Sequence, residues 1–303
     1  MEEQIDGGLP GRLAAAPISW GVCEVPGWGL QLPPDRVLAE MADLGIAATE
    51  LGALGWLPED SAAARALLDR YALQLVGGFV PVVVHERAVD VEYARRAAAH
   101  LASTGGELFV AATVQDLRWS APAPLDADSW ARAGEHVTNL ADVASAEGVE
   151  LVLHPHAGTV LETAADVELA LEHTNVPWCF DTGHLLIGGV DPVEFVGAHG
   201  DRIGHVHFKD VRLDIVERLR SGELSLVQAV QAGLFQPLGT GDARIAEVVE
   251  ALRRSGYDRW LVLEQDLAIT GSEPPAGAGP ALDVASSIQF LFGLASAQDE
   301  AVH

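Results

Sequence analysis

Trp178-Cys179-Phe180-Asp181-Thr182-Gly183-His184 is the segment that decides the fold. A short apolar run stops at a carboxylate, a glycine lets the chain turn, and a histidine follows. The same form recurs on both sides. Upstream, Leu151-Val152-Leu153 ends at His154-Pro155-His156; downstream, the run 203–206 ends at His207 and Leu261-Val262-Leu263 ends at Glu264. In a barrel of parallel strands, a residue at a strand's C-terminal end points into the catalytic mouth. Four successive strands therefore deliver imidazoles and carboxylates to one rim. Mixed His/Asp/Glu sets suit a divalent transition metal such as Mn, Co, Fe or Zn.

Working outward, β-favouring runs fall at 17–21, 47–51, 73–80, 108–113, 149–153, 176–180, 202–207 and 260–264. Most are spaced by about one strand-plus-helix unit. Between them lie alanine- and leucine-rich amphipathic stretches at 35–44, 61–71, 91–103, 129–147, 163–173, 245–255 and 281–296, several stopped by glycine. The expectation is an α/β fold, a single (β/α)8 TIM barrel over 15–297, with flexible tails at 1–14 and 298–303. Two connections are long. The first, 116–128, holds Trp119 and reads as a loop over the barrel mouth; the second, 210–242, reads as an insertion that touches substrate. An open doubly wound sheet would need a glycine-rich nucleotide turn after its first strand, and 21–27 has no GxGxxG.

Composition narrows the class. Of 303 residues 49% are apolar, enough for a full core. The formal net charge of −26 disfavours nucleic acid and anionic membrane as partners. Cys23 and Cys179 form no CxxC, and no signal pattern or membrane-length apolar run is present. A cytoplasmic protein acting on a small molecule is expected.

The individual residues carry competing readings. Asp181 could simply cap the following helix, but that leaves His184 unexplained. His205 and His207 alternate along one strand and share a face; so do His154 and His156. A buried Glu264 needs a cation, either a metal or an arginine such as Arg202. Lys209 and Arg212 form a cationic pair that could bind substrate oxygens. Trp20 and Glu50 end the first two strands and are candidates for a pocket wall and a hydroxyl ligand.

Pro17-Ile18-Ser19-Trp20, Thr49-Glu50-Leu51-Gly52, His154-Pro155-His156-Ala157-Gly158-Thr159, 180–185, 205–212 and Glu264-Gln265-Asp266 together resemble the xylose-isomerase-like barrel superfamily of sugar isomerases and epimerases. Within it, they resemble most the inosose dehydratases. The resemblance implies one divalent metal on His154, Asp181, His207 and Glu264, with Mn or Co favoured and Zn, Fe or Mg also accepted. It also implies dimers or tetramers. His154 stands where the superfamily usually has glutamate. One of the two carboxylates that epimerases use is thus gone, which favours one-sided proton abstraction with elimination. The implied reaction is dehydration of a cyclic polyhydroxy ketone (2-keto-myo-inositol) through α-proton abstraction, a metal-stabilised enolate and loss of water. Glu264 or His184 is the candidate base, and His156, His205 or Lys209 the candidate acid. Trp20, Glu50, His156, His184, His205 and Arg212 are candidate substrate contacts. The alternatives are a sugar isomerase or 3-epimerase on the same barrel, and a non-catalytic sugar-binding barrel. Leu267 departs from the family's usual proline, and 239–242 continues as Ala243-Arg244.

Overall fold

Strand-end chemistry requires that the strands close on themselves, and they do. The computed structural model describes residues 12–25 and 27–301, and of 297–301 the backbone alone. Eight parallel strands form the barrel: β1 (Leu13–Ala15), β2 (Ala48–Glu50), β3 (Gln74–Val82), β4 (Leu108–Thr113), β5 (Glu150–His154), β6 (Trp178–Asp181), β7 (Ile203–Phe208) and β10 (Leu261–Leu263). Between the last two, β8 (Asp210–Val211) and β9 (Phe235–Gln236) pair antiparallel outside the barrel. β10 pairs with β7 and β1, which closes the ring.

The helices are α1 (Pro34–Asp43), α2 (Ser61–Arg70), α3 (Val91–Thr104), α4 (Ala127–Ala146), α5 (Ala164–His173), α6 (Thr182–Gly188), α7 (Pro192–His199), α8 (Leu213–Arg220), α9 (Leu226–Gln231), α10 (Ile245–Ser255) and α11 (Pro280–Ala301). Their starts follow local chemistry. Asp60, Asp90, Asp126 and Thr163 each accept a backbone N–H of the first turn, and Thr163 forms a reciprocal capping box with Asp166. Among the described residues, no helix is long and apolar enough to cross a membrane.

Period-two alternation sorts each strand into two faces. Leu151, Leu153, Trp178, Phe180, Val206, Phe208, Leu261 and Leu263 face the helices in the main core. Trimming a buried leucine such as Leu153 to alanine would cost ~2–5 kcal/mol. Ala14, Ala48, Val76, Val110, Val152, Cys179 and Val262 fill the lower barrel. Two residues further along, the same inward face carries Glu50, His154, Asp181 and Glu264. Register places Cys179 beside His205 and Asp181 beside His207.

Three expectations are corrected. The first strand is Leu13–Ala15, and Pro17–Trp20 is a 3-10 turn. Proline at the start of 17–21 favours that turn, whereas Leu13-Ala14-Ala15 carries few β-formers, and its first two residues fall in the expected tail. Residues 13 and 14 therefore belong to the barrel, and α11 continues to Ala301; residues 1–11, 302 and 303 lie outside the described residues. Second, Gly183 makes no turn. It sits inside α6, where a Cβ would lie 2.6 Å from Lys209 Cβ. Third, the 210–242 insertion is not turned to the barrel mouth along its whole length: Gly239–Asp242 wraps the buried Asp210, whose carboxylate accepts the backbone N–H groups of Gly239, Gly241 and Ala243 at 2.8–2.9 Å.

Candidate active site

Glu50 is the hub beneath the site. Its Oε1 accepts from Nε2 of His205 at 2.8 Å and from Nε2 of His207 at 2.9 Å. All three side chains are buried. Burial alone would raise the Glu50 carboxyl, but the two histidines hold it well below the usual carboxylate range. A carboxylate only accepts, so each ring must place a proton on Nε2. That leaves His207 Nδ1 turned to the other side, towards Asp181 and Glu264. An outer carboxylate that fixes the tautomer of a ligating histidine is the arrangement common to protein metal sites.

The group above the hub suits a cation. Donor atoms of Asp181, His207 and Glu264 lie within 4.8 Å of one another, as do those of His154, Cys179 and His207. His207 Nδ1 is 2.5 Å from Glu264 Oε2 and 3.7 Å from Asp181 Oδ2. His154 Nε2 is 3.5 Å from Asp181 Oδ2. Yet His154 Nδ1, His207 Nδ1 and Glu264 Oε2 are buried atoms without a hydrogen-bond partner. Buried polar atoms are rarely left so. Convergent imidazole and carboxylate donors with orphaned lone pairs fit a divalent ion. Burial opposes charge on His207, but Cys179, Glu264 and Glu50 outweigh it and raise its pKa well above the ordinary value. His154 is likewise raised, to about 9, against burial, by Cys179 and by Asp181.

Asp181 does both things that its position allows. Oδ1 accepts the His184 N–H at 2.8 Å and caps α6, while Oδ2 faces His154 and His207. Beside it, Lys209 is fully buried, with Nζ 2.9 Å from Glu264 Oε1, hydrogen-bonded to Asp266, and 3.8 Å from Asp181 Oδ2. Burial disfavours its charge, but Asp266, Glu264 and Asp181 reverse this and push its pKa up. Thus Glu264 pairs with Lys209, while Arg202 caps the carbonyls of Thr174 and Val176 instead.

His156 and His184 lie against each other with ring centroids 3.9 Å apart and planes tilted by 37°. His156 Nδ1 donates to the Ala157 carbonyl at 2.8 Å, so its Nε2 carries a lone pair. Burial, with His154 and Lys209, pushes its pKa down to about 3. His184 accepts the Ala157 N–H on Nδ1 at 3.2 Å, and burial with His156 and Lys209 holds it well below the ordinary value.

A cleft of about 530 Å³ opens over this cluster. Of the expected residues, Glu50, His156 and Glu264 line it, and His154, Asp181, His184, His205, His207 and Lys209 lie buried around or below it. Two expected contacts are not brought in. Trp20 is wholly buried and donates its indole N–H to Glu40 at 2.8 Å. Arg212 is about half exposed and pairs with Asp214 at 2.6 Å, so it forms no pair with Lys209. Phe79 and Trp119 form a stacked wall beside His156, and Trp28 adds a second aromatic face. The inserted segment contributes Leu219, Ser225, Leu226 and Val227. Asp266 and Phe79 went unassigned in the sequence. Asp266 stands two residues after Glu264 on the same side, a spacing that could have marked it.

Comparison with known proteins agrees with the barrel. The chain is 34% identical over 286 residues to an inosose dehydratase of Geobacillus kaustophilus, covering 89% of this chain and 91% of that one. It is 36% identical over 267 residues to the rhizopine catabolism protein MocC of Rhizobium meliloti, covering 84% and 81%. Among solved structures, an L-ribulose 3-epimerase superposes with a TM-score of 0.69 at 19% identity, covering 96% of each chain. A D-psicose 3-epimerase of Clostridium cellulolyticum does so at 0.66 and 17%, covering 93% of this chain and 99% of that one; at such identity the likeness speaks for the fold alone. The model of one family, described as the xylose isomerase-like TIM barrel, matches residues 38–289. The closed barrel, the rim it builds and that match together make this chain a member of the xylose isomerase-like TIM barrel family.

Proposed function

We propose that the chain is a metal-dependent dehydratase of a cyclic polyhydroxy ketone of the 2-keto-myo-inositol type. The observation that carries the reading is His154 at the end of β5, set beside relatives named inosose dehydratase. With an imidazole there, the carboxylates of the proposed metal set stand only at the ends of β6 and β10. Inversion of a carbon by exchange on two faces needs a proton-accepting group on each. An elimination needs a base and a separate proton donor, and the site offers two unlike groups.

His154, Asp181, His207 and Glu264 would hold the ion, and manganese or cobalt suits their mixed N/O donors. When bound, the ion supplies Lewis acidity to a substrate carbonyl and makes the neighbouring C–H more acidic. His156 then takes the α-proton. His156 lines the cleft, and its Nδ1 is anchored on the Ala157 carbonyl, which leaves Nε2 as the accepting nitrogen. That tautomer supports a base role for His156 over an acid role. Lys209 follows β7 as the proton-rich group of the cluster, and it reaches the cleft through Glu264 and Asp266. It protonates the departing β-hydroxyl through them. His184 backs His156, and His205 acts from below through Glu50, so neither touches substrate. Phe79 and Trp119 offer a face to the C–H side of the ring. The two unpaired cysteines suit a reducing, cytoplasmic setting.

Asp181→Asn tests the ligand assignment. The amide keeps Oδ1 on the α6 cap and replaces the ligating Oδ2. The variant should fold as the parent does and lose metal-dependent turnover. A folded Asp181→Asn protein with full activity would remove Asp181 from the metal set.

A further inference from the structure

We propose that His85 and Gln115 form a clasp that holds the Trp119 loop across the cleft, and that the clasp closes only when His85 is neutral. The proposal rests on the functional reading for its link to substrate, though not for its geometry. The loop after β4 carries Trp119, Ala121 and Pro122 into the cleft lining. Trp119 sits at φ 60°, left-handed backbone that a bulky side chain rarely adopts. Such strain persists only where surrounding contacts impose it. Stacking of Trp119 on Phe79 at 6.0 Å supplies one contact. Gln115 supplies another at the loop's base.

The Gln115 Oε1 accepts the backbone N–H of Ala123 at 2.9 Å. A backbone N–H can only donate, so the orientation of the amide is fixed. Its NH2 must then face His85 Nε2, at 3.1 Å. An NH2 can only donate too, so His85 Nε2 must carry a lone pair. The ring proton lies on Nδ1, which is buried and without a partner. A second proton on His85 would set two donors against each other. Turning the amide would only move that clash to Ala123. Protonation therefore breaks the contact between His85 and Gln115, and the amide that ties 115 to 123 loses its anchor outside the loop.

The backbone that carries the ring is held in place. Arg132 on α4 donates to the His85 carbonyl, and His136 on α4 bonds the Val84 carbonyl at 2.7 Å. Burial is the largest influence on His85 and lowers its pKa; Glu86 favours protonation against it, and Arg132 adds to the lowering. The sign follows. A histidine neutral in the closed loop and ordinary in the open one stabilises closure fully above the ordinary value of 6.5. That stability is lost as pH falls below it.

His85 and Gln115 act on substrate through Trp119, so they are positioning residues. The test follows the Trp119 indole N–H resonance, assigned with Trp119→Phe, in the full-length protein without substrate. In the parent it should move to an open-loop position on acidification below 6.5. Gln115→Ala should show the open position already at neutral pH. His85→Gln, which offers a non-titrating carbonyl to the Gln115 amide, should stay closed throughout. With 2-keto-myo-inositol, Gln115→Ala should raise KM about fivefold at nearly unchanged kcat, the scale of one lost hydrogen bond. A Trp119 resonance unmoved in Gln115→Ala, or titrating in His85→Gln as in the parent, overturns the clasp. The resonance needs no substrate, so a wrong substrate leaves this result standing.

Discussion

Replacing Glu50 by glutamine should weaken metal binding although Glu50 lies outside the proposed ligand set. In the parent one carboxylate oxygen accepts from both His205 and His207, at 2.8 and 2.9 Å. Glutamine can keep an accepting oxygen on both rings, but it removes the negative charge between them, and its new NH2 is a buried donor that needs an acceptor of its own. Both rings then lose a charge-assisted bond, and His207 becomes a poorer donor towards an ion. The loss should cost about 1–3 kcal/mol. That corresponds to roughly 10- to 100-fold in affinity, the range seen when outer carboxylates of metal sites are removed. Calorimetric titration of manganese or cobalt into metal-free protein gives the number directly. Circular dichroism and thermal melting establish that the variant is folded. A folded Glu50→Gln protein binding metal as tightly as the parent would refute a role for the buried carboxylate charge behind the two histidines.

Three further outcomes follow from the same geometry. Metal affinity should rise with pH: both His207 and His154 have raised pKa values, so an incoming ion must displace protons from them. Competition with a chromogenic chelator across pH measures this, and an affinity that falls with pH would contradict it. Lys209→Met should leave Asp266 and Glu264 without their buried counter-charge and cost ~3–5 kcal/mol at neutral pH. The carboxyl pKa values then rise, so the cost should shrink as acid protonates them; melts at two pH values show whether it does. Arg212→Ala and Trp20→Phe should separate from each other. The exposed Arg212 should change neither kcat nor KM beyond about twofold, as expected of a surface ion pair. Trp20→Phe should lower the melting temperature, through a lost buried hydrogen bond of ~1–2 kcal/mol, with KM unchanged.

Strand-end residues were the legible part. Seven of the eight barrel strands overlap the apolar runs, because a buried parallel strand must be apolar on both faces until its last residue. That last residue is then conspicuous, as at His154 and Asp181. The first strand was missed because alanine fills the narrow lower barrel and carries no β signal. α6 and α7 were missed because α6 starts directly on the strand-ending Asp181, leaving no loop to announce it. Hydrogen-bond partnership was the other limit. Glu50 and Trp20 occupy equivalent strand-end positions in the sequence, yet one turns inward to two histidines and the other outward to Glu40. Only the true start of the first strand distinguishes them. Gly183 had a reason that spacing cannot carry, the passage of α6 over Lys209.

The most direct test of the central claim is a mass-resolved assay of the purified protein, loaded with manganese or cobalt, on 2-keto-myo-inositol. The account predicts a product lighter by one water, abolished by chelation and restored by metal. A product of unchanged mass, or dehydration that survives complete removal of metal, would contradict it.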